Sequence, residues 1–255
     1  MPREVSAYGI AELAGDLIGL LDQAGKDDAV FVGHDWGALI VWDLARLHTQ
    51  RVRAVVAASV PAVDWPAPPT QLMKMVHQDN FFYILYFQPV GPAENELEAN
   101  PRATLEKVLW SASGDGSGPS KRVPMEGNGF LTHLPTPPAL PWGWLSDTDL
   151  RHYADEFART GFFGPLSYYR NFDTNYELVK NIHLDQLTMP TFFITGSKDL
   201  VIQMDPAGVD RMANSLPNFY GTAVLDGVGH WAQQERPTEF NEVLLGFLQR
   251  LDHTA

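Results

Sequence analysis

Short apolar runs alternate with helical patterns near both ends of this chain, and the alternation limits the folds available to it. Four runs have the character of strands buried on both faces, at about 29–32, 53–58, 191–195 and 221–225. Apolar residues at helical spacing separate the first two runs and follow the last, where Pro237 starts an amphipathic segment. Strands that alternate with helices build parallel sheets through right-handed crossovers. The sequence therefore predicts an α/β fold with a mostly parallel sheet.

The middle of the chain has a different character and reads as an insertion. Aromatic residues, prolines and interrupted helical patterns predominate there, and no segment has convincing strand character. We therefore predict a first core part at 1–63, a helical insertion at 64–182 after the second strand, and a second core part at 183–255. No internal repeat interrupts this organisation.

Composition excludes several classes of function. The chain has 255 residues, a formal net charge of −13 and no cysteine. The charge argues against a nucleic-acid partner and against binding to an anionic membrane, since both depend on basic patches. Disulfides, thiolate zinc sites and a cysteine nucleophile are excluded. No apolar leader or membrane-length run is present, so we expect a cytoplasmic protein that acts on a small molecule.

The stretch "VFVGHDWGALIVWDL", from Val30, runs from a strand pattern directly into a helix pattern. Asp35 stands between Gly33 and Gly37 at the junction, in the form G-x-nucleophile-x-G. Such a sharp turn lifts a side chain above the strand ends, and the glycines are expected where a β-carbon would clash. Asp35 is therefore either a nucleophile or an ordinary helix N-cap.

Two later residues favour the nucleophile. Asp199 follows a predicted strand in "FFITGSKDLVI", and His230 follows the next one in "VLDGVGHWAQQERP". The chain order nucleophile, acid, histidine is that of the α/β-hydrolase triad. Each residue also falls at the carboxyl end of a strand, where a parallel sheet forms its active site. These three residues are the predicted triad.

The motifs "GHDWG", "TGSKD" and "GVGHW" together resemble those of the α/β-hydrolase epoxide hydrolases of the soluble or microbial type. Two further stretches, "YILYFQPVGPAENELE" and "GFFGPLSYYRNFDTNYEL", resemble the two motifs of that family's helical cap. The resemblance covers nearly the whole chain. It implies the α/β-hydrolase fold with a cap domain, and it places the family's two ring-activating tyrosines at Tyr83 and Tyr169.

The chemistry that the resemblance implies accounts for each residue type. The carboxylate of Asp35 attacks an epoxide carbon and forms an ester, while the phenols of Tyr83 and Tyr169 donate to the ring oxygen. His230, oriented by Asp199, then activates water to attack the ester. The remaining assignments are as follows: the backbone N–H of Trp36 is an oxyanion donor, Trp36 and Trp231 line the substrate pocket, and His34 packs behind the site. The product is a vicinal diol, and no cofactor or metal is required.

The sequence departs from the family at its beginning. The family's sheet has more strands before the elbow strand, together with an "HGxP" motif that supplies a second oxyanion donor, and neither is found here. We therefore expect an N-terminally truncated epoxide hydrolase in which ester hydrolysis suffers more than ring opening. The strand at 29–32 is expected to expose an apolar edge, where a second copy could pair to form a homodimer.

Two other functions remain open at this stage. A haloalkane dehalogenase also uses an elbow aspartate, although a leaving halide gains little from two phenols. A binding protein of low or no activity could retain the pocket and pair its incomplete sheet with a partner chain. The two tyrosines favour the epoxide, and the intact triad favours an enzyme.

Overall fold

The computed structural model describes residues 2–116, 118 and 123–252. Within these residues the strands are β1 (Ala29–His34), β2 (Val52–Ala58), β3 (Thr191–Gly196) and β4 (Phe219–Leu225). The helices are α1 (Ile10–Gln23), α2 (Trp36–Leu47), α3 (Pro69–His77), α4 (Tyr83–Tyr86), α5 (Pro92–Glu98), α6 (Pro101–Ala112), α7 (Asp147–Thr160), α8 (Phe163–Arg170), α9 (Phe172–Val179), α10 (Leu200–Met204), α11 (Gly208–Ser215), α12 (Ala232–Glu235) and α13 (Pro237–Asp252). Short 3-10 turns lie at Val5–Tyr8, Thr49–Arg51, Leu131–His133 and Leu184–Gln186. Among the described helices, none is both long and apolar enough to cross a membrane.

The strands form one sheet in the order β1-β2-β3-β4, and every neighbouring pair is parallel. All four predicted strands are confirmed, with ends that differ from the predicted ends by one or two residues. Alternate residues of the strands enter two different hydrophobic cores. Val55 and Phe193 pack with Trp42 of α2 on one face, while Val56 and Ile194 pack with Phe247 of α13 on the other. The nearly continuous apolar character of β2 and β3 follows from this double burial.

The described order makes β1 and β4 the edges of the sheet. Val32 of β1 is 46% exposed and Val224 of β4 is 58% exposed. Among the described residues, β1 therefore pairs with β2 only, and Val32 is an exposed apolar side chain on it.

The chain divides into two compact units, and the α/β unit contains Ile10–Asp64 and the segment that begins at Val179. The helical unit contains Trp65–Leu178 together with the segment that ends at Gly9. Its core consists of aromatic and aliphatic residues such as Phe87, Leu97, Phe162 and Leu166. No named strand lies among its described residues, in agreement with the sequence prediction.

The beginning of the chain differs from the predicted organisation. The sequence assigned 1–63 to the core, but the segment up to Gly9 groups with the helical unit. The ring of Tyr8 packs edge-on against Phe163, and the side-chain amide of Asn171 donates to the carbonyl of Val5 at 2.7 Å. These contacts link residues far apart in the chain, so no local pattern announces them.

Candidate active site

Asp35 occupies the turn between β1 and α2 with a left-handed backbone, at φ 54° and ψ −117°. A non-glycine residue adopts such angles only where its surroundings hold it there, and such strain is typical of functional positions. The Asp35 N–H donates to the carbonyl of Ala58 on β2 at 3.2 Å, and the Asp35 carbonyl accepts the first N–H bonds of α2. The predicted elbow is therefore present.

The two glycines that flank Asp35 have different roles. A β-carbon on Gly33 would lie 2.1 Å from the carbonyl oxygen of Gly37, so the first turn of α2 leaves it no room. A β-carbon on Gly37 would meet nothing within 4 Å. The expectation that both glycines avoid a clash is correct for Gly33 and wrong for Gly37, because only the former lies beneath the helix backbone.

The side chain of Asp35 does not cap α2, although the residue stands at the N-cap position. Its Oδ1 lies 3.1 Å from Nε2 of His230 instead. On the other side of the imidazole, Nδ1 lies 3.2 Å and 3.3 Å from the two carboxylate oxygens of Asp199. The alternative of a simple helix cap is therefore wrong, and the three predicted triad residues come together in the predicted order.

The two carboxylates, of Asp35 and Asp199, differ in exposure. The Asp199 side chain is 0% exposed, whereas that of Asp35 is 36% exposed. Asp199 also accepts the N–H of Val201 at 2.9 Å, which fixes its orientation at the start of α10. Of these two carboxylates, only that of Asp35 is accessible to an incoming molecule.

The charges of the triad stabilise one another. Burial by itself lowers the pKa of His230, but its hydrogen bonds to Asp199 and Asp35 outweigh burial and raise the pKa to about 10. Burial likewise raises the pKa of Asp35, but the bond and charge of His230 and the N–H of Trp36 hold that pKa below its usual value. At neutral pH an imidazolium therefore lies between two carboxylates.

The loops that carry the acid and the histidine are joined directly. A β-carbon on Gly196, at the end of β3, would lie 2.1 Å from the carbonyl oxygen of Val228. The N–H of Lys198 donates to that same carbonyl at 2.9 Å. The glycine in "TGSKD" is therefore required because the histidine loop passes against the end of β3.

Sequence analysis missed two residues that hold the histidine loop. The hydroxyl of Ser59, a buried residue at φ 70° just after β2, donates to the carbonyl of His230 at 3.0 Å. The carboxylate of Glu235 accepts the N–H groups of Gly229 and Trp231, on either side of the histidine, at 3.1 Å each. A serine after a strand and a glutamate in a short helix have no distinctive pattern, so only the fold identifies them.

His34 packs against His230, as expected of the packing residue that the sequence suggested. Its Nε2 donates to the His230 carbonyl at 2.7 Å, and the two ring centroids are 4.8 Å apart. Burial and the neighbouring imidazolium lower the pKa of His34, so its ring is neutral. The ring of Trp231 packs edge-on against His230 with a centroid distance of 4.9 Å. Its role in lining a pocket stays a prediction, as does that of Trp36.

Tyr83 and Tyr169 lie in the helical unit, on α4 and α8. Their rings meet edge to face, with centroids 5.8 Å apart and an angle of 81° between the planes. Phe87 packs edge-on against both rings, at 5.6 Å from Tyr83 and 5.2 Å from Tyr169. The two tyrosines that the sequence singled out, 86 positions apart, are therefore neighbours in one aromatic cluster.

The parallel sheet, the strained elbow and the Asp–His–Asp arrangement define an α/β hydrolase. A family model described as the alpha/beta hydrolase fold matches residues 1–237. Epoxide hydrolase A of Mycobacterium tuberculosis (strain ATCC 25618 / H37Rv) is 43% identical to the chain over 254 residues, which cover 98% of this chain and 78% of the relative. The chain belongs to the epoxide hydrolases of the α/β-hydrolase fold.

Two solved structures support the same assignment. The crystal structure of epoxide hydrolase A from Mycobacterium thermoresistibile superposes with a TM-score of 0.89 at 41% identity, over 98% of this chain and 78% of the other. An epoxide hydrolase from an endophytic Streptomyces superposes with a TM-score of 0.93 at 33% identity, over 99% of this chain and 77% of the other. The likeness therefore extends over both units of the chain.

Proposed function

We propose that this epoxide hydrolase converts its substrate to a vicinal diol through an ester on Asp35. One observation carries the assignment of the nucleophile. The carboxylate of Asp35 is partly exposed at the elbow, and its Oδ1 lies 3.1 Å from His230. A carboxylate in this position can attack carbon, and the ester that results can be hydrolysed by the adjacent histidine.

In the first step, an oxygen of Asp35 bonds to one epoxide carbon and the carbon–oxygen bond of the ring breaks. The electron pair of that bond stays on the ring oxygen as an alkoxide. A phenol of Tyr83 or Tyr169 donates a proton to this oxygen as charge develops. The depressed pKa of Asp35 supports this step, because it keeps the carboxylate ionised at neutral pH.

Ester formation prepares the second step. The ester removes the negative charge of Asp35, which is one of the two groups that raise the pKa of His230. The pKa of the imidazole therefore falls. The imidazolium releases its proton, and the tyrosine that protonated the ring oxygen is protonated again. His230 becomes a base only after the nucleophile has reacted.

Neutral His230 then takes a proton from water, and the hydroxide adds to the ester carbonyl. The N–H of Trp36, which bonds the Asp35 carboxylate at rest, can donate to the oxyanion that forms. Collapse breaks the ester bond, and the proton of the new carboxyl group passes to the leaving alkoxide. The diol departs, and the carboxylate and imidazolium are restored.

Mass spectrometry after incubation with a simple aryl epoxide tests the nucleophile. We expect an adduct of one epoxide on the peptide that contains Asp35, and we expect it to persist in His230→Gln because hydrolysis is blocked. Asp35→Ala should form no adduct. Asp16→Ala, at an exposed site on α1, serves as the matched control and should behave as the wild type.

The same assay separates the competing functions. The Tyr83→Phe/Tyr169→Phe double variant should lose ring opening, because no phenol remains to protonate the alkoxide. A haloalkane adduct on Asp35 that the double variant forms at the wild-type rate would instead favour a dehalogenase. A complete lack of adducts with several epoxides and haloalkanes would favour a binding protein.

The oligomeric state is a separate proposal, and it concerns the edge of β1. Val32 is 46% exposed on this edge strand, and β1 pairs on one side only among the described residues. A second copy that adds a strand there would form a homodimer. Sedimentation of the wild type and of Val32→Lys tests this, and a monomer for both proteins would rule it out.

A further inference from the structure

The side chain of Gln88 joins the backbones of the two tyrosine-bearing helices. Gln88 follows α4 by two residues, and its amide nitrogen Nε2 donates to the carbonyl of Ile84 at 2.9 Å. The same nitrogen donates to the carbonyl of Tyr169 at 3.0 Å. Because Ile84 directly follows Tyr83, a single NH₂ group spans from the backbone beside one tyrosine to the backbone of the other.

The backbone around Gln88 is itself held in place. Nε of Arg170 donates to the carbonyl of Phe87 at 3.0 Å, and its Nη2 donates to the carbonyl of Pro89 at 3.1 Å. The Arg170 side chain is 3% exposed, and its guanidinium pairs with the carboxylate of Glu94 at 2.7 Å. Arg170 therefore fixes both carbonyls that flank Gln88. The Gln88 backbone is held, which keeps the Gln88 side chain close to the carbonyls of Ile84 and Tyr169.

Ring packing alone cannot fix the relative position of Tyr83 and Tyr169 closely enough for both phenols to reach one oxygen. Edge-to-face contacts between Tyr83, Phe87 and Tyr169 tolerate sliding, since such contacts occur over a range of centroid distances. Two hydrogen bonds from one planar amide restrict that sliding, because both depend on direction. Two phenols that share one oxygen need such restriction, since a displacement of about 1 Å can lower a rate about 10²-fold.

We propose that Gln88 is a positioning residue that holds Tyr83 and Tyr169 at the spacing needed to bind one epoxide oxygen. The inference rests on the proposed role of the tyrosines. The positioning role of Gln88 requires two N–H donors on one nitrogen, which a carboxamide provides. A carboxylate of the same shape turns lone pairs toward both carbonyls and loses both bonds.

Gln88→Glu tests the proposal with almost no change in volume. We expect the rate constant for ester formation to fall about 10- to 100-fold at neutral pH, while the rate constant for ester hydrolysis stays at the wild-type value. Ester formation should partly recover in acid, because the protonated carboxyl regains one donor. Gln71→Glu makes the same charge change on α3 of the same unit, where the side chain is exposed, and should behave as the wild type.

Comparison with the tyrosine variants distinguishes the two proposals. If Tyr83→Phe/Tyr169→Phe opens epoxides at the wild-type rate, the proposed role of the tyrosines fails. If that variant is slow while Gln88→Glu matches Gln71→Glu, the positioning role alone is wrong. Equal slowing of both half-reactions by Gln88→Glu, or the same relative loss in the double-Phe background, would show a general structural role and overturn the inference. Gln88→Met, which is neutral and of similar length, repeats the test if the glutamate variant does not fold.

Discussion

Substitution of Gly33 by alanine is the sharpest test of how the elbow is built. The new β-carbon would lie 2.1 Å from the carbonyl oxygen and 2.3 Å from the carbonyl carbon of Gly37. Both atoms belong to the backbone of α2, so no side chain can move aside to relieve the contact. Ordinary non-bonded contacts begin near 3.5 Å. The first turn of α2 must therefore move by about 1.4 Å, the difference between 2.1 Å and an ordinary contact of about 3.5 Å.

Two consequences follow from that displacement. Overpacking of this kind typically costs about 1–3 kcal/mol of the free energy of unfolding, and each kcal/mol lowers Tm by about 2–4 °C in a chain of this size. The displaced turn also carries Asp35, so ester formation should slow by about 10²-fold. The Asp35–His230 distance of 3.1 Å is the geometry that is lost.

Thermal unfolding and single-turnover ester formation measure the two effects. Gly37→Ala is the matched control, because its β-carbon meets nothing within 4 Å and alanine favours a helix over glycine. We expect the control to unfold at the wild-type temperature or above it. A Gly33→Ala protein with wild-type stability and ester formation would refute the steric argument.

Three further predictions concern other groups of the α/β unit. The pKa of His230 rises from 6.5 to about 10 on folding, so the stability that its protonated form contributes is complete below pH 6.5 and is lost as the pH rises through 10. The free energy of unfolding measured across that window should decline, and His230→Gln should abolish this decline. Burial raises the pKa of Asp43 to about 6 even though Arg46 lowers it, so the carboxyl stabilises the fold below its usual pKa of 3.8 and this contribution disappears as the pH rises through 6. Asp43→Asn should therefore be more stable than the wild type at neutral pH but not in acid. If urea titrations show the opposite order of stability, the assigned direction of the Asp43 pKa shift is wrong. Ser59→Ala removes one of two donors to the His230 carbonyl, and it should lower the free energy of unfolding by about 0.5–1.5 kcal/mol. It should also slow ester hydrolysis more than ring opening. Equal slowing of the two steps in single-turnover experiments would exclude a role of Ser59 in holding His230.

Local patterns were sufficient to predict the framework of the site. The four strands are buried on both faces or lie at the sheet edge, and their apolar runs appear in the sequence whatever surrounds them. The triad was predictable for a related reason. Asp35, Asp199 and His230 each follow a strand, and parallel strands bring their carboxyl ends to one edge of the sheet. The three residues are therefore close in space because of the sheet topology alone.

Other features depend on which chain segments pass one another. Gly33 and Gly37 look equivalent in the motif, yet only Gly33 lies against the backbone of the helix. Ser59 and Gln88 are ordinary polar residues in the sequence, and each acts through a backbone carbonyl that has no sequence signature. The placement of the segment up to Gly9 likewise depends on contacts with residues more than 150 positions away.

By itself, the sequence determined the fold class and the order in which Asp35, Asp199 and His230 follow their strands, because these depend on short-range periodicity and chain order. The resemblance to the family's cap motifs singled out Tyr83 and Tyr169. Only the tertiary structure decided that His230 lies between two carboxylates with a pKa of about 10, and that Gln88 joins the helices of Tyr83 and Tyr169. The strength of a hydrogen bond and the size of a pKa shift depend on distance, direction and exclusion of water. Those quantities exist only after distant parts of the chain have packed together.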